Sequence, residues 1–342
     1  MRMLWLLFIF PCALLCSSDF ERLMGENTPH WKYIGQSNDR RAIERAKALY
    51  AKNAPMEYAQ SGSYKVPPVI HFIWLGPKPF PPQSVENVRS WIAQHPTWRM
   101  KFWTDREREV PCEGMERCFV RDFRFTKLQR CFDSSENFAE KSDVLRYEIL
   151  FQEGGLYVDH DTHCLRSFDA LHRGYDFFSG LEPPHEAFVG RNITCGNAVI
   201  AAAPGHPILH RAIDLVAERW DNLAQKFRGR DDYSRIEVVM QRTYIAFTDA
   251  VEACLDQSGH TDILFPAAYF FAKSGIPPIY SQHFYETSWD DTRERTSAFE
   301  RSGEKALARL KRTNTLVQVG LLVLIGMNLL LFIKLIFRRK RS

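Results

Sequence analysis

Apolar runs alternate with helical patterns through the middle of the chain. Residues 69–74 are almost continuously apolar, which predicts a central strand buried on both faces. A helix is predicted from Ser84, as its N-cap, to about Gln94, and residues 100–104 read as the next strand. A strand, a helix and a second strand in this order favour a parallel, doubly wound sheet.

The most informative segment is residues 142–161. Apolar positions recur at helical spacing over 142–150, and Gly154 and Gly155 end this helix as a left-handed cap would. A short apolar strand follows, and then Asp159 and Asp161 flank His160. Alternate residues of an extended chain point the same way, so we expect both carboxylates to face one ligand while His160 faces elsewhere.

Further elements are predicted beyond the acid pair. Residues 175–180 and 197–202 read as strands, and 206–220 as an amphipathic helix. Residues 293–312 form a charged helical pattern that leads into an apolar segment. The middle of the chain therefore has the element content of an α/β protein.

Both ends of the chain are apolar, for different reasons. Residues 1–18 have the pattern of a signal peptide, and a segment left uncleaved would be a second anchor. Residues 315–337 are long enough to span a bilayer and are followed by a basic tail, 338–342. Between them we expect a helical lead-in (19–66), a globular domain (67–290) and a helical stalk (291–314). The domain is expected in a lumen or outside the cytosol, and the sequon at Asn192 is compatible with that orientation.

Composition and charge narrow the classes of function. The net charge is only +4, and no basic stripe runs between aromatic residues, so nucleic-acid binding is excluded. Six cysteines outside the leader could form disulfides or stay buried thiols, and no spacing resembles a zinc site. Two carboxylates at the end of a strand form a hard-oxygen site, which suits Mg²⁺ or Mn²⁺ held jointly with a diphosphate.

The motifs taken together resemble a known family. The order is Ile-His-Phe-Ile-Trp (70–74), Trp-Thr-Asp (103–105), Ser-Asp-Val-Leu-Arg-Tyr (142–147) and Gly-Gly-Leu-Tyr-Val-Asp-His-Asp (154–161). It is similar to the sugar transferases with an Asp-x-Asp motif, which include yeast mannosyltransferases, inositol-phosphoceramide mannosyltransferases and the catalytic domains of large clostridial toxins. The resemblance covers residues 67–289. It implies a GT-A fold, with a mostly parallel sheet and helices on both faces, and sugar transfer with retention.

The resemblance also implies roles for particular residues. Asp159 and Asp161 match the metal motif of the family. Asp143 and Arg146, which share a helix face, match residues that contact the sugar and ribose of the donor. Trp74 matches an aromatic residue that can stack on the nucleotide base, although a tryptophan in a buried strand is usually part of the core.

Residues late in the chain complete the implied site. His283 matches a late histidine that can bind Mn²⁺, and Ser288 and Trp289 match a Ser-Trp pair that donates to the diphosphate. Asn197 lies where relatives carry a polar residue close to the donor sugar. Residues 241–244 depart from a Gly-Pro that many relatives carry near the acceptor side, so the identity of the acceptor cannot be carried over.

The leading hypothesis is a membrane-tethered glycosyltransferase, dependent on Mn²⁺ or Mg²⁺, that moves a hexose from a UDP- or GDP-sugar to a lipid or glycan. A tether of this kind raises the local concentration of a membrane acceptor. A toxin-like transferase that modifies a protein is the second hypothesis, and it shares every donor-side motif. The third is a non-catalytic, membrane-anchored sugar-binding protein, against which the intact acidic motif argues.

Overall fold

A seven-stranded sheet forms the centre of the molecule, in the order β3-β2-β1-β4-β7-β6-β8. The computed structural model describes residues 19–35, 37–54, 62–186, 191–226, 232–257, 259–273 and 275–286. The strands are β1 (Val69–Trp74), β2 (Arg99–Thr104), β3 (Glu116–Phe119), β4 (Gly155–Val158), β5 (Thr162–Cys164), β6 (Phe177–Gly180), β7 (Val199–Ala202), β8 (Asp262–Phe265) and β9 (Ser281–His283). Strands β5 and β9 pair outside the main sheet as an antiparallel ribbon.

The helices connect these strands. They are α1 (Ser37–Asn53), α2 (Pro82–Gln94), α3 (Gln129–Ser134), α4 (Phe138–Glu153), α5 (Asp169–Gly174), α6 (Pro207–Lys226), α7 (Asp232–Arg242) and α8 (Tyr244–Cys254). Short 3-10 helices occupy Pro29–Tyr33 and Val120–Asp122.

The sheet is mostly parallel, as predicted. Strand β1 runs parallel to both β2 and β4, and β6 runs parallel to β8. Strand β7 is antiparallel to both of its neighbours, β4 and β6. Because β7 is reversed, its first residues lie at the edge of the sheet where β4 and β6 end.

The predicted strands at 69–74 and 100–104 are confirmed, the second beginning one residue earlier at Arg99. The predicted start of the next helix is wrong. Helix α2 begins at Pro82 with Pro81 as its N-cap, so Ser84 lies inside the helix. The fixed φ of proline suits the first turn, and Ser84 is buried and bonded elsewhere.

Two glycines turn the chain from α4 into β4. Gly154 has φ 65° and Gly155 has φ 98°, which are positive values that residues with side chains rarely adopt. A Cβ on Gly155 would lie 2.8 Å from the carbonyl oxygen of Val69, and one on Gly154 would lie 2.8 Å from that of Ala202. The pair therefore permits both a sharp turn and a close approach between strands.

Helix α4 lies in the core of the molecule. Its side chains Val144, Leu145, Tyr147, Ile149 and Leu150 have no exposed surface. Burial of apolar side chains at about 1.5–3 kcal/mol each is enough to fix this helix on the sheet. The polar residues of the same helix are consequently held in a rigid position.

The lead-in packs onto this core, since Phe20 and Met24 are fully buried. The six cysteines in the described part of the chain are free thiols, which settles the alternative that the sequence left open. The sequon residue Asn192 is only 6% exposed, and its side-chain amide donates to the carbonyl of His185 at 2.9 Å.

No helix within the described ranges is both long and apolar enough to cross a bilayer. The predicted signal segment, stalk, membrane span and basic tail all lie outside those ranges. These assignments and the proposed domain boundaries stay predictions.

Candidate active site at the carboxyl edge of the sheet

The residues singled out from the sequence meet at one edge of the main sheet. Asp159 follows the last residue of β4, and Asn197 precedes the reversed strand β7. The backbone N–H of Asp159 donates to the carbonyl of Ala198 at 2.9 Å, which joins the two segments. Helix α4 adds Asp143 and Arg146 from its buried face.

Arg146 links the acids at this edge. Its Nη2 atom lies 2.8 Å from Asp143 Oδ1 and 3.3 Å from Asp159 Oδ1. Its other terminal nitrogen donates to the carbonyl of Asn197, and its guanidinium lies 4.1 Å from the centre of the Tyr157 ring. Burial opposes the charge of Arg146, but Tyr157 and the two acids outweigh it and raise its pKa. The arginine is therefore a permanent cation that fixes its neighbours.

Asp143 is held on both carboxylate oxygens. Oδ1 accepts from the side-chain amide of Asn197 at 3.0 Å, and Oδ2 accepts from the hydroxyl of Thr243 at 2.6 Å. Burial raises the pKa of Asp143, while the charge of Arg146 and the Thr243 hydrogen bond act in the opposite direction. The family resemblance links residues 241–244 to the acceptor side, whereas Thr243 contacts the carboxylate assigned to the donor.

Asp159, Asp161 and His283 form what we call the donor-edge cluster. One ligand atom from each residue lies within 4.8 Å of the others. The Nε2 atom of His283 is 3.2 Å from Asp161 Oδ1 and 3.9 Å from Asp159 Oδ2. Two carboxylates and an imidazole are ligands that Mn²⁺ accepts readily, and Mg²⁺ accepts the oxygens.

Each carboxylate of the donor-edge cluster has one oxygen held by the protein. Asp159 Oδ1 accepts from the Tyr157 hydroxyl at 2.6 Å, and Asp161 Oδ2 accepts from the backbone N–H of Glu286 at 2.8 Å. The remaining oxygens, Asp159 Oδ2 and Asp161 Oδ1, are the ones that face His283. Hydrogen bonds of this kind orient metal ligands in proteins, so the arrangement fits a divalent ion.

The electrostatics of the cluster follow from its charges. Burial opposes ionisation of Asp161, but the hydrogen bond and charge of His283 outweigh it and lower the pKa of this carboxyl. Burial likewise opposes protonation of His283, and the hydrogen bond to Asp161 and the charges of both acids raise its pKa. A divalent cation between these groups would replace the proton on the imidazole.

The acid pair faces one side for a reason other than the predicted one. Residues 160 and 161 form a tight turn rather than an extended strand, and the N–H of Thr162 donates to the carbonyl of Asp159 at 3.1 Å. His160 does face away, as expected. Its Nδ1 atom is 2.8 Å from the hydroxyl of Ser84, and its ring packs 4.9 Å from the ring of Trp74.

Trp74 packs beside this turn with Phe80, and we call these two residues the wall of the site. Its side chain is 9% exposed, its indole N–H donates to the carbonyl of Lys78 at 3.0 Å, and its ring meets Phe80 edge-on at 5.5 Å. These contacts show a packing role, and base stacking stays a prediction. Asp105 accepts from the N–H of Gly76 at 3.2 Å and so supports the same wall. Trp103 is buried in the core, as expected.

Several contributors escaped the sequence analysis. Thr243, Tyr157 and Glu286 each bond to one of the acids, and the positions of Thr243 and Glu286 carry no local signal. For Tyr157 the alternation of the strand could have indicated the proximity. Ser288 and Trp289 lie outside the described residues.

A second group of metal-binding residue types lies elsewhere, and we call it the helix-cap cluster: His206, His260 and Asp262. The N–H of Ile208 donates to His206 Nδ1 at 3.3 Å, so Nε2 carries the ring proton and donates to Asp262 Oδ1 at 3.0 Å. Asp262 Oδ2 accepts from the N–H of Asp256 at 3.1 Å. A metal on His206 Nε2 would require a proton on Nδ1, facing another N–H. The cluster is therefore a closed cap at the start of α6.

Comparisons with known proteins agree with this site. Residues 81–178, which include Asp159 and Asp161, match the family described as "Glycosyltransferase sugar-binding region containing DXD motif". The resemblance predicted from the motifs is confirmed, and with it the class of the matched region, a glycosyltransferase sugar-binding region.

Individual relatives cover parts of the chain. It is 31% identical over 159 residues to inositol phosphoceramide mannosyltransferase 3 of Schizosaccharomyces pombe, which covers 46% of this chain and 39% of that protein. It is 27% identical over 168 residues to the subversion of eukaryotic traffic protein A of Legionella pneumophila, covering 44% and 25%. The chain thus spans well under half the length of these relatives.

Solved structures give weaker likenesses. The PaToxG glycosyltransferase has a TM-score of 0.43 at 19% identity, covering 63% of this chain and 80% of its own. The catalytic domain of alpha-toxin from Clostridium novyi has a TM-score of 0.38 at 11% identity, covering 72% and 74%.

Proposed function

We propose that this chain is a divalent-metal-dependent glycosyltransferase that moves a hexose from a nucleotide-sugar donor to a hydroxyl acceptor, with retention at the anomeric carbon. The donor-edge cluster carries the proposal. In each of its two carboxylates, one oxygen accepts a hydrogen bond from the protein and the second oxygen faces His283. The match of residues 81–178 to a sugar-binding region supports the same conclusion.

Asp159, Asp161 and His283 would hold Mn²⁺ or Mg²⁺. When bound, the ion neutralises the charge that develops on a departing diphosphate. The chain itself contributes by keeping the ligands in place, because Arg146 and Tyr157 hold Asp159 while the Glu286 backbone holds Asp161. Preorganised groups of this kind need no rearrangement as charge develops.

We assign different roles to Asp143 and Arg146. Arg146 is 5% exposed and engaged with both acids, so we assign it to positioning rather than to direct contact with a phosphate. Asp143 keeps its carboxylate at the same edge, where we assign it to a hydroxyl of the donor sugar. Carboxylate oxygens accept more than one hydrogen bond, so its bonds to Asn197 and Thr243 leave room for a further one.

A donor panel tests the proposal. The full chain is incubated with UDP- and GDP-hexoses, with Mn²⁺ or with EDTA, and release of sugar is measured. We expect hydrolysis of at least one donor, dependent on the metal, with retained configuration of the sugar by NMR at early times. If no donor in the panel showed metal-dependent binding or hydrolysis, that result would contradict the proposal and favour the non-catalytic sugar-binding alternative.

We further propose a lipid or glycan acceptor at a membrane, with residues 315–337 as the tether. The apolar run and its basic flank support this, since a tether raises the effective concentration of a membrane acceptor. Extraction of the expressed chain with alkaline carbonate tests it. The full chain should stay with the membranes. A chain ending at residue 312 lacks the C-terminal apolar run and should be released by the carbonate. Transfer to protein by the purified chain, in place of lipid or glycan, would favour the toxin-like alternative.

A further inference from the structure

The strand order separates the two sides of the candidate active site. Trp74, the last residue of β1, and Asp105, which follows β2, lie on one side, and Asp159 and Asn197 occupy the centre at β4 and β7. The other side, beyond β7, is formed by the ends of β6 and β8. Glu182 lies there, shortly after the end of β6, and no donor motif includes it.

Glu182 is paired with a lysine. Its carboxylate lies 3.9 Å from the ammonium of Lys273, and the two side chains are 16% and 30% exposed. That separation is longer than a hydrogen bond, so neither group uses its hydrogen-bonding capacity on the other. The N–H of Glu182 donates to the carbonyl of Thr194 at 3.0 Å, which fixes the backbone at this position.

One aromatic residue connects this pair to the donor-edge cluster. The Lys273 ammonium lies 4.1 Å from the centre of the Tyr285 ring, and that ring lies 4.2 Å from the ring of His283. Tyr285 has φ 55°, a backbone conformation that is rare for residues with side chains. Its hydroxyl donates to the carbonyl of Phe271 at 2.9 Å, which helps to hold it there. A strained residue held between two clusters is typical of a functional site.

The loop that carries Lys273 is also well supported. The N–H of Ile276 donates to the carbonyl of Lys273 at 2.8 Å, and Ile276 itself is 5% exposed. A Cβ on Gly25 would lie 2.7 Å from the Cδ1 atom of Ile276, so the lead-in packs directly against this loop. Backbone hydrogen bonds therefore hold both Glu182 and Lys273 in position.

From these contacts we propose that Glu182 and Lys273 form the acceptor-binding pair, which takes neighbouring hydroxyls of a neutral polyhydroxy ring such as a sugar or cyclitol. The inference rests on the proposed glycosyltransferase function and names the substrate class of the same site. The carboxylate accepts from one hydroxyl and the ammonium donates to the next. Because the two charges cancel, the pair favours a neutral ring over an anionic one.

Tyr244, which lies beside Glu182, also supports this assignment. Its hydroxyl lies 2.6 Å from the hydroxyl of Thr194. Burial, and then the charge of Glu182, raise the pKa of Tyr244 well above its ordinary value. The tyrosine therefore stays protonated and is a hydrogen-bond donor beside the carboxylate.

The test compares Glu182→Gln and Lys273→Met with Glu186→Gln, a control on an exposed glutamate in the same loop. The probes are methyl α-D-mannopyranoside and myo-inositol as neutral rings, and mannose 6-phosphate as an anionic ring. Binding of each probe is measured by calorimetry on the full chain with Mn²⁺ and the nucleoside diphosphate of its donor. Binding of the donor with Mn²⁺ is measured separately.

We expect the wild type and Glu186→Gln to bind at least one neutral ring in preference to the anionic one. Glu182→Gln and Lys273→Met should each weaken that binding by about 10- to 100-fold, the loss typical of a charged hydrogen bond. Donor affinity should change by no more than about twofold, since the pair lies outside the donor motifs.

The inference would be overturned by absence of neutral-ring binding in the wild type, by preference for the anionic ring, or by unchanged binding in both variants. Failure of the proposed function is distinguishable, because the wild type would then show no metal-dependent donor binding. Loss of donor binding together with ring binding in Glu182→Gln would instead place Glu182 on the donor side, which also contradicts the inference.

Discussion

The donor-edge cluster and the helix-cap cluster are built from the same residue types, and in each the ligand atoms lie within 4.8 Å of one another. They differ in where their hydrogen bonds go. In the donor-edge cluster the protein holds the outer oxygens and leaves the inner ones facing an imidazole. In the helix-cap cluster the backbone occupies the histidine nitrogen that a metal-bound ring would have to protonate.

This difference shows that proximity of acids and histidines does not make a metal site. The position of the ring proton decides whether a histidine can bind a metal. The ligating nitrogen must offer a lone pair, so the other nitrogen of the ring must carry the hydrogen. His283 can meet this condition, because no group within the described residues donates to its Nδ1 atom, which is therefore free to carry the hydrogen. His206 cannot.

The largest expected effect is that of Asp161→Asn. The change removes one ligand charge from the donor-edge cluster while keeping shape, so kcat/KM for transfer should fall by about 1,000-fold or more. Steady-state kinetics with added Mn²⁺ measures this, and circular dichroism checks the fold. Asp122→Asn, an exposed aspartate, is the control. Near-normal turnover by Asp161→Asn would remove the metal assignment.

A smaller, different effect is expected from Asp262→Asn in the helix-cap cluster. The amide oxygen can accept only one of the two hydrogen bonds that His206 and Asp256 now donate, and the NH2 group faces the other donor, at a cost of about 3 kcal/mol in the free energy of unfolding. Urea unfolding measures that loss. Activity per folded molecule should stay within about twofold of the wild type. If Asp262→Asn abolished metal-dependent activity without loss of stability, the two clusters would not differ as argued.

Thr243→Val tests the support of the donor edge from a distant element. The valine keeps the shape but removes the hydroxyl that donates to Asp143, so kcat/KM should fall by about 10-fold. Thr243→Ser restores the hydroxyl and should recover activity to within about threefold. Equal kinetics for the valine variant and the wild type would show that this hydrogen bond does not position Asp143.

The smallest effect is expected from removal of metal in the absence of donor. The helix-cap cluster is complete without an ion, so EDTA should change the melting temperature by less than about 2 °C. Calorimetry on the metal-stripped chain, with and without Mn²⁺ or Zn²⁺, measures this. A fall of about 10 °C on stripping would indicate a structural metal and contradict the comparison.

Local patterns explain what could be predicted from the sequence. The continuous apolar run of β1 and the glycine stop after α4 depend on neighbouring residues, and both occur where expected. The pairing of Asp159 with Asp161 was also predicted, but its cause was not. A turn brings the acids together, and alternation along a strand cannot describe a turn.

Contacts between distant segments could not be predicted in the same way. Thr243 is bonded to Asp143 across 100 positions of the chain, and Glu286 to Asp161 across 125. Neither has a periodicity or a spacing that marks it, because tertiary packing alone brings these elements together. His283 was found only through the family resemblance, for the same reason.

The buried sequon residue has a consequence for the order of events during synthesis. In the folded chain the amide nitrogen of Asn192, the atom that would carry an oligosaccharide, donates to the carbonyl of His185 and is shielded from solvent. If the domain lies in a secretory lumen, as proposed, a glycan could therefore be attached to Asn192 only before folding buries that nitrogen. For a lumenal domain, the modification state of Asn192 would then show whether glycosylation preceded folding at this position.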